Sequence, residues 1–125
     1  METRKNRERY QPNEDFIRVA TATPEVAVGD VATNAEWIAA LYEEAASQDV
    51  SLVVFPELSL TGYSIQDLVQ RHDLLDSAHY GLAWLAAQTE DINTAMVVGL
   101  PLAVGNAIYN AAAMLADGEI KGIVC

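Results

Sequence analysis

The residue types best placed to do chemistry lie in one stretch, Phe55-Pro56-Glu57-Leu58-Ser59-Leu60-Thr61-Gly62-Tyr63. Ahead of it runs Val50-Ser51-Leu52-Val53-Val54-Phe55, almost continuously apolar, as expected of a strand buried on both faces. Pro56 has no N–H to give a sheet ladder, so the strand should end there. Glu57 then falls just beyond the carboxyl end of a buried strand, where open α/β sheets place their ligands. A carboxylate held partly out of water at that point can have its pKa raised into the range of a general base. On position alone, the competing role is a solvated, inert loop glutamate. Tyr63, next to Gly62, is a candidate to line a substrate pocket, with packing beneath the loop as its alternative.

Other candidates carry less. His72 and His79 are seven positions apart, and no cysteine or carboxylate cluster completes a zinc set, so surface or helix-face roles and no metal are expected. Cys125, the one cysteine, has apolar neighbours and no strand-to-helix elbow, and reads as inert core rather than as a nucleophile. Lys121 reads as a solvated lysine on an edge strand. Trp37 and Trp84 sit at helix-core spacing and need no cofactor. Gly99, Gly105 and Gly118 make neither GxGxxG nor a P-loop, so no cofactor site is expected in this segment.

These residues need elements to hold them. Residues 16–22 suit a strand, stopped near Pro24. Thr33-Asn34-Ala35-Glu36 fits a capping box and predicts a helix over about residues 34–47, with Trp37, Ile38, Leu41 and Ala45 as its apolar stripe. With the strand at 50–55 this is β-α-β, the unit that sets strands parallel. A second helix is expected over 77–88, capped by Asp76 or Ser77, with Leu82, Leu85 and Ala86 inward. Residues 95–100 repeat the buried-strand signature. Residues 106–116 and 119–125 flank Asp117-Gly118, a dipeptide suited to a two-residue hairpin. The fold class predicted is α/β (α+β), a mixed sheet with helices against it.

Composition bounds the partners. The 125 residues are 51% hydrophobic and 20% charged, which suits a packed globular core rather than disorder. No apolar run nears 18 residues, and residues 1–15 form no secretory signal but a flexible polar arm of balanced charge. The formal net charge of −11 therefore falls on residues 16–125. Such a surface repels phosphate backbones and anionic lipid, so neither nucleic acid nor membrane is an expected partner. One cysteine fits a reducing, cytoplasmic setting. The chain stops within an apolar strand, so it is expected to be the first part of something longer.

The stretch from Phe55 to Tyr63 resembles the first catalytic segment of the nitrilase, or carbon–nitrogen hydrolase, superfamily. That resemblance implies an α-β-β-α sandwich, of which only the N-terminal half is present. It also implies a Glu-Lys-Cys triad in which Glu57 is the general base. Phe16 to Val26, Ser64 to Leu68, Asn106 to Ala112 and Asp117 to Ile120 are similar to the glutaminase domain of bacterial glutamine-dependent NAD synthetases. Residues 16–125 would then be the start of a glutaminase domain whose substrate is glutamine. The released ammonia would serve amidation of deamido-NAD, with ATP, magnesium and deamido-NAD belonging to a separate synthetase domain. A homo-oligomer is expected at full length. The family's lysine follows a strand like Ile120 to Cys125, so the chain would end before both the lysine and the nucleophilic cysteine. Alternatives are an N-carbamoyl amine or omega-amide hydrolase, or an inactive truncated fragment.

Overall fold

A computed structural model describes residues 16–62 and 72–125. The arm expected over residues 1–15 and the pocket candidate Tyr63 lie outside the described residues. Five strands form one sheet in the order β1 (Val19–Thr21), β2 (Leu52–Val54), β3 (Ala95–Val104), β4 (Ala107–Ala116), β5 (Glu119–Val124). Helices α1 (Val31–Ala46) and α2 (His72–Gln88) are the two crossovers, so β1, β2 and β3 run parallel while β3, β4 and β5 are antiparallel. The mixed α/β sheet expected from the sequence is present.

Helix α1 begins three residues earlier than the capping box predicts. The Asp30 carboxylate is the N-cap, accepting from the Thr33 N–H at 3.1 Å and the Thr33 hydroxyl at 2.9 Å. An aspartate supplies the cap as well as a threonine does, and here it brings Val31 into the helix and the core. The inward stripe is Val31, Ala35, Ile38, Ala39, Tyr42 and Ala46, with Asn34 beside them. Ile38 is inward as expected, whereas Trp37 is 37% exposed and Trp84 on α2 is 44% exposed. The buried face centres on Ile38 and Tyr42, both fully buried, and Trp37 lies at its margin. Helix α2 also starts before its predicted residue 77, because Leu74 and Ala78 continue the inward run of Leu82 and Leu85 one turn further back.

Both helices pack on one sheet face. Val53, Met96 and Leu115 are cross-strand neighbours on that face, and all three are fully buried. Burial of each such side chain contributes about 1.5–3 kcal/mol. The opposite face carries Val54, Val97 and Met114 at the same register. Val54 and Met114 are 37% and 41% exposed, so β2 is not buried on both faces among the described residues. Its apolar run has packing on one side only.

The predicted hairpin forms at Asp117-Gly118, where both residues take positive φ (56° and 77°), the combination a type I′ turn requires. The Gly118 N–H also donates to the Thr89 hydroxyl at 2.9 Å, tying the turn to the end of α2. Strand β3 runs on through Pro101 to Val104, four residues past its expected end. A proline here fits beside β4 because β3 meets that strand alone at this level, β2 having ended at Val54.

Candidate active site

Glu57 opens the loop that leaves β2. The Phe55 N–H still donates to the Val97 carbonyl at 2.9 Å, and at Pro56 the ladder stops. The chain then coils tightly. The Ser59 N–H donates to the Pro56 carbonyl at 3.1 Å, and the N–H groups of Thr61 and Gly62 donate to the Leu58 carbonyl at 3.2 and 2.7 Å. Leu58 takes φ of 52°, a left-handed conformation that disfavours a leucine by about 1–2 kcal/mol. Such strain persists only where surrounding contacts fix it.

Those contacts come from β3 below and from α1 beside. The Leu60 N–H donates to the Gly99 carbonyl at 3.0 Å, and the Gly99 N–H donates to the Ser59 hydroxyl at 3.2 Å. The loop rests directly on Gly99. A Cβ there would lie 2.4 Å from the Leu58 nitrogen and 2.8 Å from the Pro56 oxygen, so only glycine admits this approach. Buried Asn34 on α1 donates to the carbonyls of Ala27 and Leu60 at 2.8 and 3.1 Å and accepts from the Ala27 N–H at 2.7 Å. One amide thus joins α1, residues 24–30 and the Glu57 loop.

Glu57 is exposed at the rim of a concavity of about 370 Å³ on the sheet face away from the helices. Val54, Gly99, Ala112, Val124 and Cys125 help to line it. Of the described lining residues, Glu57 alone has a charged side chain. The Asn110 side-chain amide on β4 donates a hydrogen bond to Glu57 Oε1. The structure therefore brings Glu57 to the carboxyl end of a parallel strand, as the sequence predicts, and adds Asn110, which sequence reasoning did not single out. The available signal was an asparagine inside an Ala-rich strand, where that residue type is disfavoured.

The other predicted residues scatter. Cys125 is exposed and lines the same concavity, so it is not the buried core residue expected. It follows directly on β5, which lies at the sheet margin and is exposed along its whole length, so it lacks the shielding its apolar neighbours suggest. Lys121 is a surface lysine, 3.6 Å from each of Asp117 and Glu119. His79 is exposed on α2 beside Tyr80. Among the described residues no three His, Cys, Asp or Glu side chains converge as metal ligands, and no helix is long and apolar enough to cross a membrane. A second, larger concavity of about 740 Å³ lies between α1 and α2, lined by Tyr80, Trp84 and Val31, and Glu57 is not among its described lining residues.

A family model described as carbon-nitrogen hydrolase matches residues 18–123, nearly all of this architecture. The chain belongs to the carbon–nitrogen hydrolase family. Within that family it is 37% identical over 109 residues to the glutamine-dependent NAD(+) synthetase of Mycobacterium tuberculosis, covering 87% of this chain and 16% of the relative. It is 40% identical over 108 residues to the enzyme of the same name from Xylella fastidiosa, covering 86% of this chain and 19% of the relative. The backbone matches the crystal structure of a glutamine-dependent NAD(+) synthetase from Cytophaga hutchinsonii with a TM-score of 0.80 at 27% identity, over 86% of this chain and 18% of that one. The fold is thus the nitrilase-like one expected. The chain spans less than a fifth of the length of these relatives.

Proposed function

We propose that this carbon–nitrogen hydrolase chain is the N-terminal part of a glutaminase domain in a glutamine-dependent NAD synthetase, with Glu57 as its general base. The observation that carries this reading is the position of Glu57. It sits on a strained, tightly bonded loop at the end of a parallel strand, facing an open concavity, in a chain 37–40% identical to glutamine-dependent NAD(+) synthetases. In this reading a lysine and a nucleophilic cysteine from the remaining length of the protein complete the site.

The chemistry then follows from amide reactivity. An amide carbonyl is a poor electrophile, so a thiolate is needed and the reaction divides into two steps. Glu57 takes the thiol proton as sulfur bonds to the side-chain carbonyl carbon of glutamine. It returns that proton to the leaving nitrogen as the C–N bond breaks and ammonia departs. In the second step Glu57 takes a proton from water as the oxygen adds to the thioester carbon. The C–S bond then breaks, Glu57 returns the proton to sulfur to regenerate the thiol, and glutamate leaves. The lysine would stabilise the oxyanion of each tetrahedral intermediate.

Ammonia would pass to a synthetase portion that amidates deamido-NAD. ATP and magnesium would belong to that portion, as the family resemblance implies. A cytoplasmic homo-oligomer, acting on a small amide and on neither nucleic acid nor membrane, completes the proposal. The single cysteine supports the cytoplasmic setting and the net charge of −11 the exclusion of nucleic acid and membrane, while the amide substrate and the homo-oligomer rest on the family resemblance.

A substrate panel on the full-length protein tests the reading. Ammonia release from glutamine should exceed that from N-carbamoyl amines and other omega-amides by at least about tenfold in kcat/KM, a difference of about 1.4 kcal/mol. Preference for an N-carbamoyl amine would move the protein to another branch of the family.

A further inference from the structure

Glu57 has three rotatable side-chain bonds, which the backbone hydrogen bonds described for the loop do not themselves set. A base must hold its accepting oxygen within hydrogen-bond reach of the proton it takes, so something has to orient the carboxylate. Asn110 is placed to do this. It lies on β4 at the register of Pro101, on the same sheet face as Ala112 and the concavity, and its amide donates to Glu57 Oε1. The two residues are 53 positions apart and belong to different strand systems, so the bond is tertiary and ties the β2 loop to the β3–β4 hairpin.

The residue type suits the task. A lysine or arginine at 110 would form an ion pair and hold the carboxylate ionised, weakening it as a base. An aspartate would repel it. A neutral amide orients one oxygen with a smaller effect on proton affinity, and it does not itself titrate.

We propose that Asn110 is a positioning residue for Glu57, holding its carboxylate towards the concavity through Oε1. This rests on the reading of Glu57 as the general base.

The test is steady-state glutaminase kinetics of the full-length protein carrying Asn110→Leu, Asn110→Asp or Asn110→Gln, with Glu57→Gln measured alongside. Asn110 is exposed, so thermal midpoints should stay close to that of the parent protein. Leu, of similar size and without a donor, should lower kcat roughly 10- to 100-fold while KM changes by less than about threefold. Asp should lower it at least as far, and Gln, which keeps a donor, should recover part of the loss. Normal kcat in Asn110→Leu beside an inactive Glu57→Gln overturns the positioning role and leaves the base intact. Equal losses in the Leu, Asp and Gln variants, or a rise in KM alone, also overturn it. Normal kcat in Glu57→Gln instead overturns the underlying reading of Glu57.

Discussion

At the scale of single residues, the site is set by what lies under Glu57 as much as by Glu57 itself. Gly99 takes the loop's backbone where any side chain would collide, since a Cβ would sit 2.4 Å from the Leu58 nitrogen. Gly99→Ala should therefore lift the loop, costing about 1–3 kcal/mol of stability and lowering glutaminase kcat; thermal melting and ammonia release on the full-length protein check both. Unchanged values would mean that the loop can shift freely without moving Glu57. The place of Glu57 at a strand end was legible in the sequence because Pro56 marks that end and apolar residues precede it. Asn110 was not, because its meaning depends on a tertiary contact that no local spacing encodes. Cys125 was misread for a related reason: apolar neighbours suggest burial, but β5 lies at the sheet margin.

At the scale of elements, buried polar groups pin α1 to the sheet. Asn34 makes three hydrogen bonds across the loops, and the Tyr42 hydroxyl donates to the Thr94 carbonyl at 2.6 Å. Asn34→Leu should cost about 2–3 kcal/mol, since it strands the Ala27 N–H and two carbonyls. Denaturation midpoints measure it. Burial also pushes the Tyr42 hydroxyl well above the ordinary phenol value. The folded state then holds this proton more tightly than the unfolded chain does. The stability it contributes is complete below about pH 10 and is lost as pH rises further, towards the folded-state value. Thermal midpoints taken across roughly pH 8 to 12 should fall steeply above about 10, and Tyr42→Phe should flatten that fall while lowering stability at about pH 8 through the lost hydrogen bond. A parent and variant with parallel profiles would remove Tyr42 from the account. The succession of elements, the parallel β-α-β unit and the Asp117-Gly118 turn were readable from periodicity and turn chemistry. Helix starts were not, because Asp30 and Thr33 are both able caps and only packing of Val31 and Tyr42 selects between them.

At the scale of the whole molecule, the two sheet faces differ. One is sealed by helices, and the other exposes Val19, Val54, Met114 and Val124. That apolar face, together with the β5 edge, should drive association of isolated residues 1–125, which are predicted to aggregate or to melt without cooperativity. Sedimentation and near-UV circular dichroism decide this, and a monodisperse monomer with a sharp two-state melt would contradict it. The alternation of open and covered residues in β2 was invisible in a run as uniformly apolar as Leu52-Val53-Val54. The same open face holds the concavity and Glu57, so fold and chemistry meet there. The most direct test of the central claim is the glutaminase rate of the full-length protein with Glu57→Gln, which keeps the side chain's shape and removes the base. The account predicts a fall in kcat of roughly 10²-fold or more with KM little changed, while Glu119→Gln at the exposed hairpin stays near normal. A Glu57→Gln protein that releases ammonia from glutamine at the parent rate would contradict it.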